Sequence, residues 1–322
     1  MKNSNSCNIK TSIGGQALIE GVMRRGPKKT AMAVRNPEGE IVLEQWENET
    51  KKKNAFFKLP IIRGVFNFIE SMKFGYKCLM RSAEIAGLEE IEKEETEKAA
   101  KEGKKSNSAF WMNLMMIGAS VLGVVLALFL FIALPTLIYS LVCKISDGDI
   151  FDESNRYLKS AFEGVLKVVI LVGYMAAISL MKDIRRTFMY HGAEHKTIFC
   201  YESGEELTVE NVKKQKRFHP RCGTSFLILM VLVSILIGFF IPPEIHTLLR
   251  VAIKILLFPI TMGIGYELIK FAGKCDNIIT KIISAPGVGL QHLTVFEPDD
   301  DMIECAIAAM KEVIPEDGSD KI

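Results

Sequence analysis

Apolar residues are not spread evenly along the chain: they concentrate in four runs after residue 105, and the stretches between are dense in both signs of charge. From Phe110 to Cys143 no residue is charged, 34 in a row, where roughly 20 suffice to cross hydrocarbon. Pro135 inside this run predicts a kink or an end. Thr224 to Ile241 is also free of charge and is stopped by Pro242 and Pro243, which cannot continue a helix. Ala161 to Met181 and Leu248 to Leu268 are weaker. The first carries Glu163 and Lys167 near its first end and the second Arg250 and Lys254, where long basic side chains could snorkel to an interface. These two runs are also compatible with amphipathic or re-entrant helices that cover the other two.

Before the first span, Thr30 to Arg35 and Glu40 to Trp46 are β-leaning runs either side of Asn36-Pro37-Glu38-Gly39, a hairpin signal. Leu59 to Ile85 places Ile62, Val65, Phe66, Ile69, Met72 and Leu79 at helical spacing. It predicts an amphipathic helix packed on the bundle, or else lying on the membrane. Glu89 to Lys105 alternates Glu and Lys and reads as a solvated helix or linker. After the last span, Ser284-Ala285-Pro286-Gly287-Val288-Gly289 reads as a loop, and Pro298-Asp299-Asp300 opens a final helix, Met302 to Val313, through an acidic N-terminus.

The expected fold is therefore mainly α: a polytopic membrane helical bundle of about four spans with a small N-terminal hairpin and helix region. Three parts follow: residues 1–105, cytoplasmic; residues 106–268, the bundle, with a cytoplasmic loop at 182–223; and residues 269–322, a cytoplasmic tail. Charge sets the orientation. Residues 182–221 carry nine Lys and Arg, and short basic loops stay in the cytoplasm. The first connection instead offsets Lys144, Arg156 and Lys159 with Asp147, Asp149, Asp152 and Glu153. Both termini are then cytoplasmic. Met1 to Gln16 lacks an apolar core, so no secretory signal is expected there.

Forty Lys and Arg against 38 Asp and Glu give no basic face for nucleic acid, and seven scattered cysteines form no disulfide framework. The chemistry concentrates in two short segments. In His191-Gly192-Ala193-Glu194-His195, positions i and i+4 of one helix can aim two imidazoles at one ion. The His-x-x-Glu-His order matches the inverted zinc-peptidase pattern, with Glu194 as general base. His219-Pro220-Arg221-Cys222-Gly223 adds a His and a Cys with glycine directly after the thiol. If the flanking spans are neighbours, both segments emerge at one membrane face, and zinc suits a nitrogen and thiolate set. Four ligands (His191, His195, His219 and Cys222) would make a closed structural site, whereas three plus water would make a catalytic one. Glu202, seven residues after His195, shares its helical face as ligand or supporting group. The plainer alternative is that these are interfacial polar groups bonded to backbone or lipid. His246 and His292 read as ordinary surface or packing residues. Gly14 to Pro27 suggests an amide-lined turn for an anion or, equally, a buried turn and helix supporting the hairpin.

Taken together, Gly14-Gly15-Gln16-Ala17, Glu20-Gly21-Val22-Met23, Tyr190 to Lys196, Arg217 to Phe226, Gly289-Leu290-Gln291 and Glu297 to Asp300 resemble the YqhQ-like bacterial membrane proteins, described as predicted metal-dependent enzymes. At position 24, where the resemblance leads one to expect a second Met, stands Arg24. The resemblance implies a bacterial cytoplasmic membrane. The leading expectation is an integral-membrane zinc-dependent hydrolase acting on a peptide, lipid or other amphiphile at the cytoplasmic face, with membrane lipid as its surroundings. The rival is a non-catalytic scaffold or regulator with a structural metal. A transporter ranks third, because the first and third runs hold no ionisable residue.

Overall fold

In the computed structural model the structure describes residues 10–48, 57, 59–87, 118–119, 121–145, 155–242, 244–274 and 277–321. The expected linker at Glu89 to Lys105 and the start of the first apolar run, Phe110 to Ile117, lie outside the described residues.

The N-terminal region is an antiparallel meander of four strands: β1 Gly14–Leu18, β2 Gly21–Arg25, β3 Lys29–Arg35 and β4 Ile41–Glu47. The β3–β4 hairpin turns at the expected Asn-Pro-Glu-Gly, with Gly39 at φ 87° and Asn36 Oδ1 accepting a bond from Glu40 N at 2.7 Å. Gly14 to Arg25 forms a second hairpin, with no helix. Leu18 pairs with Gly21, and Glu20, at the turn, sits at φ 52°. A non-glycine residue there is disfavoured. It is tied down by the Glu20 carboxylate, which binds Arg186 (Nη2 at 2.6 Å) and accepts from Tyr190 Oη at 3.2 Å.

Strand alternation then decides what packs where. Val22, Ala31 and Ala33 face α4 (Lys182–Glu202) and α9 (Asp300–Val313), joining Tyr190, Ala193, Ile198, Met302, Ala306 and Met310. Met23, Met32 and Val34 face α1 (Pro60–Ile85), meeting Cys78, Phe74 and Leu79. The sheet is thus covered on both faces, and its two central strands are buried throughout except at their ends. The final helix begins two residues earlier than expected, with Asp300 and Asp301 in its first turn, where the helix dipole favours acids. α1 packs along the bundle, as the first of its two readings has it. Arg63 pairs with Glu267 at 2.6 Å, Asn67 Nδ2 donates to Tyr266 Oη at 3.0 Å, and Phe68 lies 5.0 Å from Phe226 between ring centroids.

Among the described residues three helices are long and apolar enough to cross a membrane: α2 Val121–Ile145, α3 Arg156–Ser179 and α7 Thr247–Lys274. Pro135 does not end α2. A π-helical turn at Phe129–Ala133 precedes it, which is how a helix absorbs a proline that cannot donate to the preceding turn. The Thr224 run forms α6, Thr224–Gly238, of 15 residues. At 1.5 Å per residue this is about 22 Å, short of the roughly 30 Å of hydrocarbon that a full crossing spans. Between α4 and α6 lies the short α5, Val209–Lys213.

Two expectations are corrected here. Ser284 to Gly289 is not a loop but the middle of α8, Ile278–Thr294, opened by an Asn277/Thr280 capping box. Gly287 serves close packing against Ser225 and not a turn, and the helix runs on through Pro286. Glu163, Lys167, Arg250 and Lys254 do not snorkel. Glu163, Lys167 and Arg250 are buried inside the bundle and Lys254 is half-buried beside them, with Lys254 and Arg250 both turned to Glu163.

Candidate metal centre

α3 passes into α4 through a brief break at Leu180 and Met181, so α4 starts at one end of the bundle and runs beneath the sheet. His191 and His195 stand one turn apart on it, ring centroids 4.5 Å apart. Cys222 arrives from the turn before α6, with Thr224 N donating to its Sγ at 3.4 Å. His191 Nε2 lies 3.1 Å from Cys222 Sγ. One donor atom from each of His191, His195 and Cys222 fits within 4.8 Å of the others.

The backs of both imidazoles are fixed by backbone. His191 Nδ1 donates to Thr294 O at 2.9 Å, and His195 Nδ1 donates to Arg217 O at 2.5 Å. With Nδ1 committed to backbone, each ring leaves its Nε2 for the side of the thiol. His195 Nε2 is buried and makes no hydrogen bond. Outer partners that orient ligating histidines in this way are typical of metal sites.

α8 holds the second segment in place. Gln291 bonds the His219 backbone twice, with Oε1 accepting from His219 N at 2.8 Å and Nε2 donating to His219 O at 2.7 Å. The side chain of His219 leaves the compact group. Its Nδ1 accepts from Arg221 N at 3.2 Å and its Nε2 faces Glu202 Oε2 at 3.8 Å, while its ring centroid is 5.7 Å from that of His195. Glu202 is likewise engaged away from the group: it binds Arg221 and accepts from Thr11 N at 2.8 Å. His246 and His292 lie apart, the latter stacked on Phe218 at 4.4 Å.

Glu194 is buried beside the group, with Oε2 3.6 Å from His195 Nε2. Its partner is Arg24 of β2, fully buried, which bonds both the Glu194 carboxylate and the Glu194 carbonyl. Gly15 on β1 makes room for this carboxylate, because a Cβ there would overlap Glu194 Oε1. Nothing in the local sequence links residues 24 and 194. The available signal is the cation at position 24 on the same strand face as Val22, a face otherwise apolar.

Charge follows geometry. Burial works against a thiolate at Cys222, but the two histidines outweigh it and hold the thiol well below its ordinary range. Burial also opposes a charge on His191, and the neighbouring Cys222 overcomes it, raising the imidazole to about 9. Burial would raise Glu194; Arg24, then His195, His191 and His219, instead bring it below the usual carboxylate range. His219 is lowered, mainly by burial. The group thus combines a thiolate, two oriented imidazoles and an ionised carboxylate, a donor set that suits zinc.

α4 is seated through Gly192, whose missing side chain admits the carbonyl of Phe296. Gly192→Ala should destabilise the protein by about 1 to 3 kcal/mol through overpacking, read as a lower denaturation midpoint. An unchanged midpoint would contradict this seating.

Fold and site together define a mainly helical protein with a four-stranded sheet and helices suited to a membrane, in which α4, α8 and the segment before α6 bring together a His/His/Cys group at one end of the bundle. The chain belongs to the family described as a protein of unknown function, DUF1385, whose model matches residues 59–316. It is 34% identical over 308 residues to the uncharacterised protein YqhQ of Bacillus subtilis (strain 168), a match covering 95% of this chain and 93% of that one. No solved structure matches. β1 to β4, with Arg24, precede the segment that the family model matches.

Proposed function

We propose that this chain is an integral-membrane, zinc-dependent hydrolase whose site lies at the cytoplasmic membrane face and acts on an amphiphilic substrate, a lipid or a peptide. The observation that carries it is the buried, unpartnered Nε2 of His195, aimed with His191 Nε2 at the Cys222 thiolate. His191, His195 and Cys222 would hold the ion, and three protein ligands leave a position open, as catalytic sites do. The ion would supply Lewis-acid polarisation of a carbonyl or phosphoryl oxygen. Arg24 keeps Glu194 ionised and fixes its Oε1, leaving Oε2 on the side of His195 to take a proton from the attacking water. The origin of Cys222 directly before α6, and of α4 directly after α3, supports a substrate drawn from the bilayer edge.

A structural metal clamp is the second reading. It is favoured by the depth of the group: His195 is 2% exposed and Cys222 5%. Glu194→Gln separates the two readings. A general base contributes typically about 10² to 10⁴ in rate, so the variant should keep wild-type metal content and lose cellular function. Normal function with full metal occupancy would leave only the clamp.

The orientation belongs to the same proposal: both termini and residues 182–221 face the cytoplasm of a bacterium, with α6 and α7 acting as a returning pair. The joint packing of the N-terminal sheet, α4 and α9 supports one shared side for all three. A cysteine introduced at Lys213 should resist an impermeant thiol reagent in intact cells and react after lysis. Labelling in intact cells would reverse the orientation.

A further inference from the structure

We propose that the bundle binds one fatty-acid-class amphiphile, its single chain in a cavity between α2, α3, α6 and α7 and its carboxylate at Lys167 and Lys254. The cavity measures about 430 Å³ and is walled by Leu128, Phe131, Leu171, Met230 and Leu257. That is within the range of pockets that take small ligands, and it has room for one acyl chain. Its charged lining residues are Lys167 and Lys254, with Ser234 beside the first. Lys167 Nζ donates to Ser234 Oγ at 3.1 Å and Lys254 Nζ to Thr136 Oγ1 at 2.7 Å.

Charge complementarity names the occupant. Lys167 and Arg250 are buried and Lys254 is half-buried, and among the described residues the ion pairs of this cluster share one carboxylate, that of Glu163. Arg250 lies 3.6 Å from it and Lys254 bonds it directly, so Lys167 and the second side of Lys254 face the cavity with positive charge in excess. Buried charges are stable when they are paired. An anion at this point completes the set. The cavity also opens sideways: Val124, Tyr174 and Phe258 on its rim are 61%, 47% and 38% exposed, on helix faces that would meet hydrocarbon. A guest entering there comes from the lipid phase, and it must be apolar over its length with one small anionic head. Lys167 lies at the middle of α3, 11 positions from Arg156 and 12 from Ser179, about 18 Å along the helix from the end that leads into α4 and the His/His/Cys group. The inference does not rest on the metal reading.

The test uses the full chain in phosphatidylcholine nanodiscs, with labelled palmitate as the probe. Hexadecanol serves as the uncharged-head control and acetate as the chainless one. Palmitate should bind saturably at one per chain, with hexadecanol and acetate each at least about tenfold weaker, the worth of one charge-assisted hydrogen bond. Lys167→Met keeps the apolar stem and should weaken palmitate about tenfold. Met230→Trp fills the wall without touching the charges, and it should abolish binding even if Lys167→Met fails to fold. Palmitate uptake equal to that of empty nanodiscs would overturn the proposal. So would equal binding of hexadecanol, or binding unchanged in Met230→Trp.

Discussion

Cys222→Ser and His195→Ala should each weaken zinc binding by more than about 100-fold. Replacing even an outer partner of a metal site costs 10- to 100-fold, and these two supply donor atoms directly. The three donors come from two segments 27 or more residues apart in sequence, brought together by α8 through Gln291 and Thr294, so no pair from one segment suffices. Titration of purified protein with zinc against a competing chelator measures the effect. His219→Ala discriminates within the same experiment: its ring is engaged with Glu202 and Arg221, so its loss should change affinity far less than that of Cys222. Stoichiometric, wild-type affinity in Cys222→Ser would remove the centre altogether.

Arg24→Met should destabilise the zinc-free protein by about 3 to 5 kcal/mol. The substitution leaves the Glu194 carboxylate buried without its cation, and breaking one side of a buried pair carries a cost of that order. Arg24 is fully buried and bonds both the side chain and the carbonyl of Glu194, so little water can reach in to compensate. Adding Glu194→Gln to Arg24→Met should recover much of the loss, since a neutral amide needs no counter-charge. Saturating zinc should also shrink the loss, because a cation held by His195 lies beside the same carboxylate. Denaturation midpoints of wild type, Arg24→Met and the double variant, with zinc and with chelator, give the six values needed. A loss independent of zinc would separate Glu194 from the centre.

The parts of this molecule legible from its sequence are those fixed by local chemistry. Asn36-Pro37-Glu38-Gly39 contains its own turn residues, and the β3–β4 hairpin follows. His191 and His195 share a helix face by spacing alone, and they meet on it. Cys222 joins them because its segment directly precedes a helix. Where partners are distant, the sequence misleads. The β1–β2 turn places a non-glycine residue at positive φ, stabilised by Arg186 and Tyr190, so Ile19-Glu20 gives no turn signal of its own. Pro286 and Gly287 look like helix breakers, yet the glycine is there to admit Ser225. Glu163, Lys167, Arg250 and Lys254 resemble interfacial residues singly, and only as a set across α3 and α7 do they show their place inside the bundle, with Arg250 and Lys254 both turned to Glu163. Arg24 is the sharpest case: its reason is a carboxylate 170 positions away.

The sheet sits between α1 and the pair α4 and α9, and Thr11 Oγ1 donates to Asp320 Oδ2 at 2.7 Å across 309 positions. This closes the chain on itself and imposes an order of events during synthesis. β2 and β3 leave the ribosome before both helices that bury Val22, Ala31 and Ala33, and the second of these, α9, begins only at Asp300. At roughly 5 to 20 residues per second, the two strands wait on the order of tens of seconds with one apolar face bare while the spans insert. That interval is when a nascent sheet pairs wrongly with its neighbours. A chain truncated before Asp300 would make the interval permanent, turning a folding delay into a standing aggregation surface at the membrane.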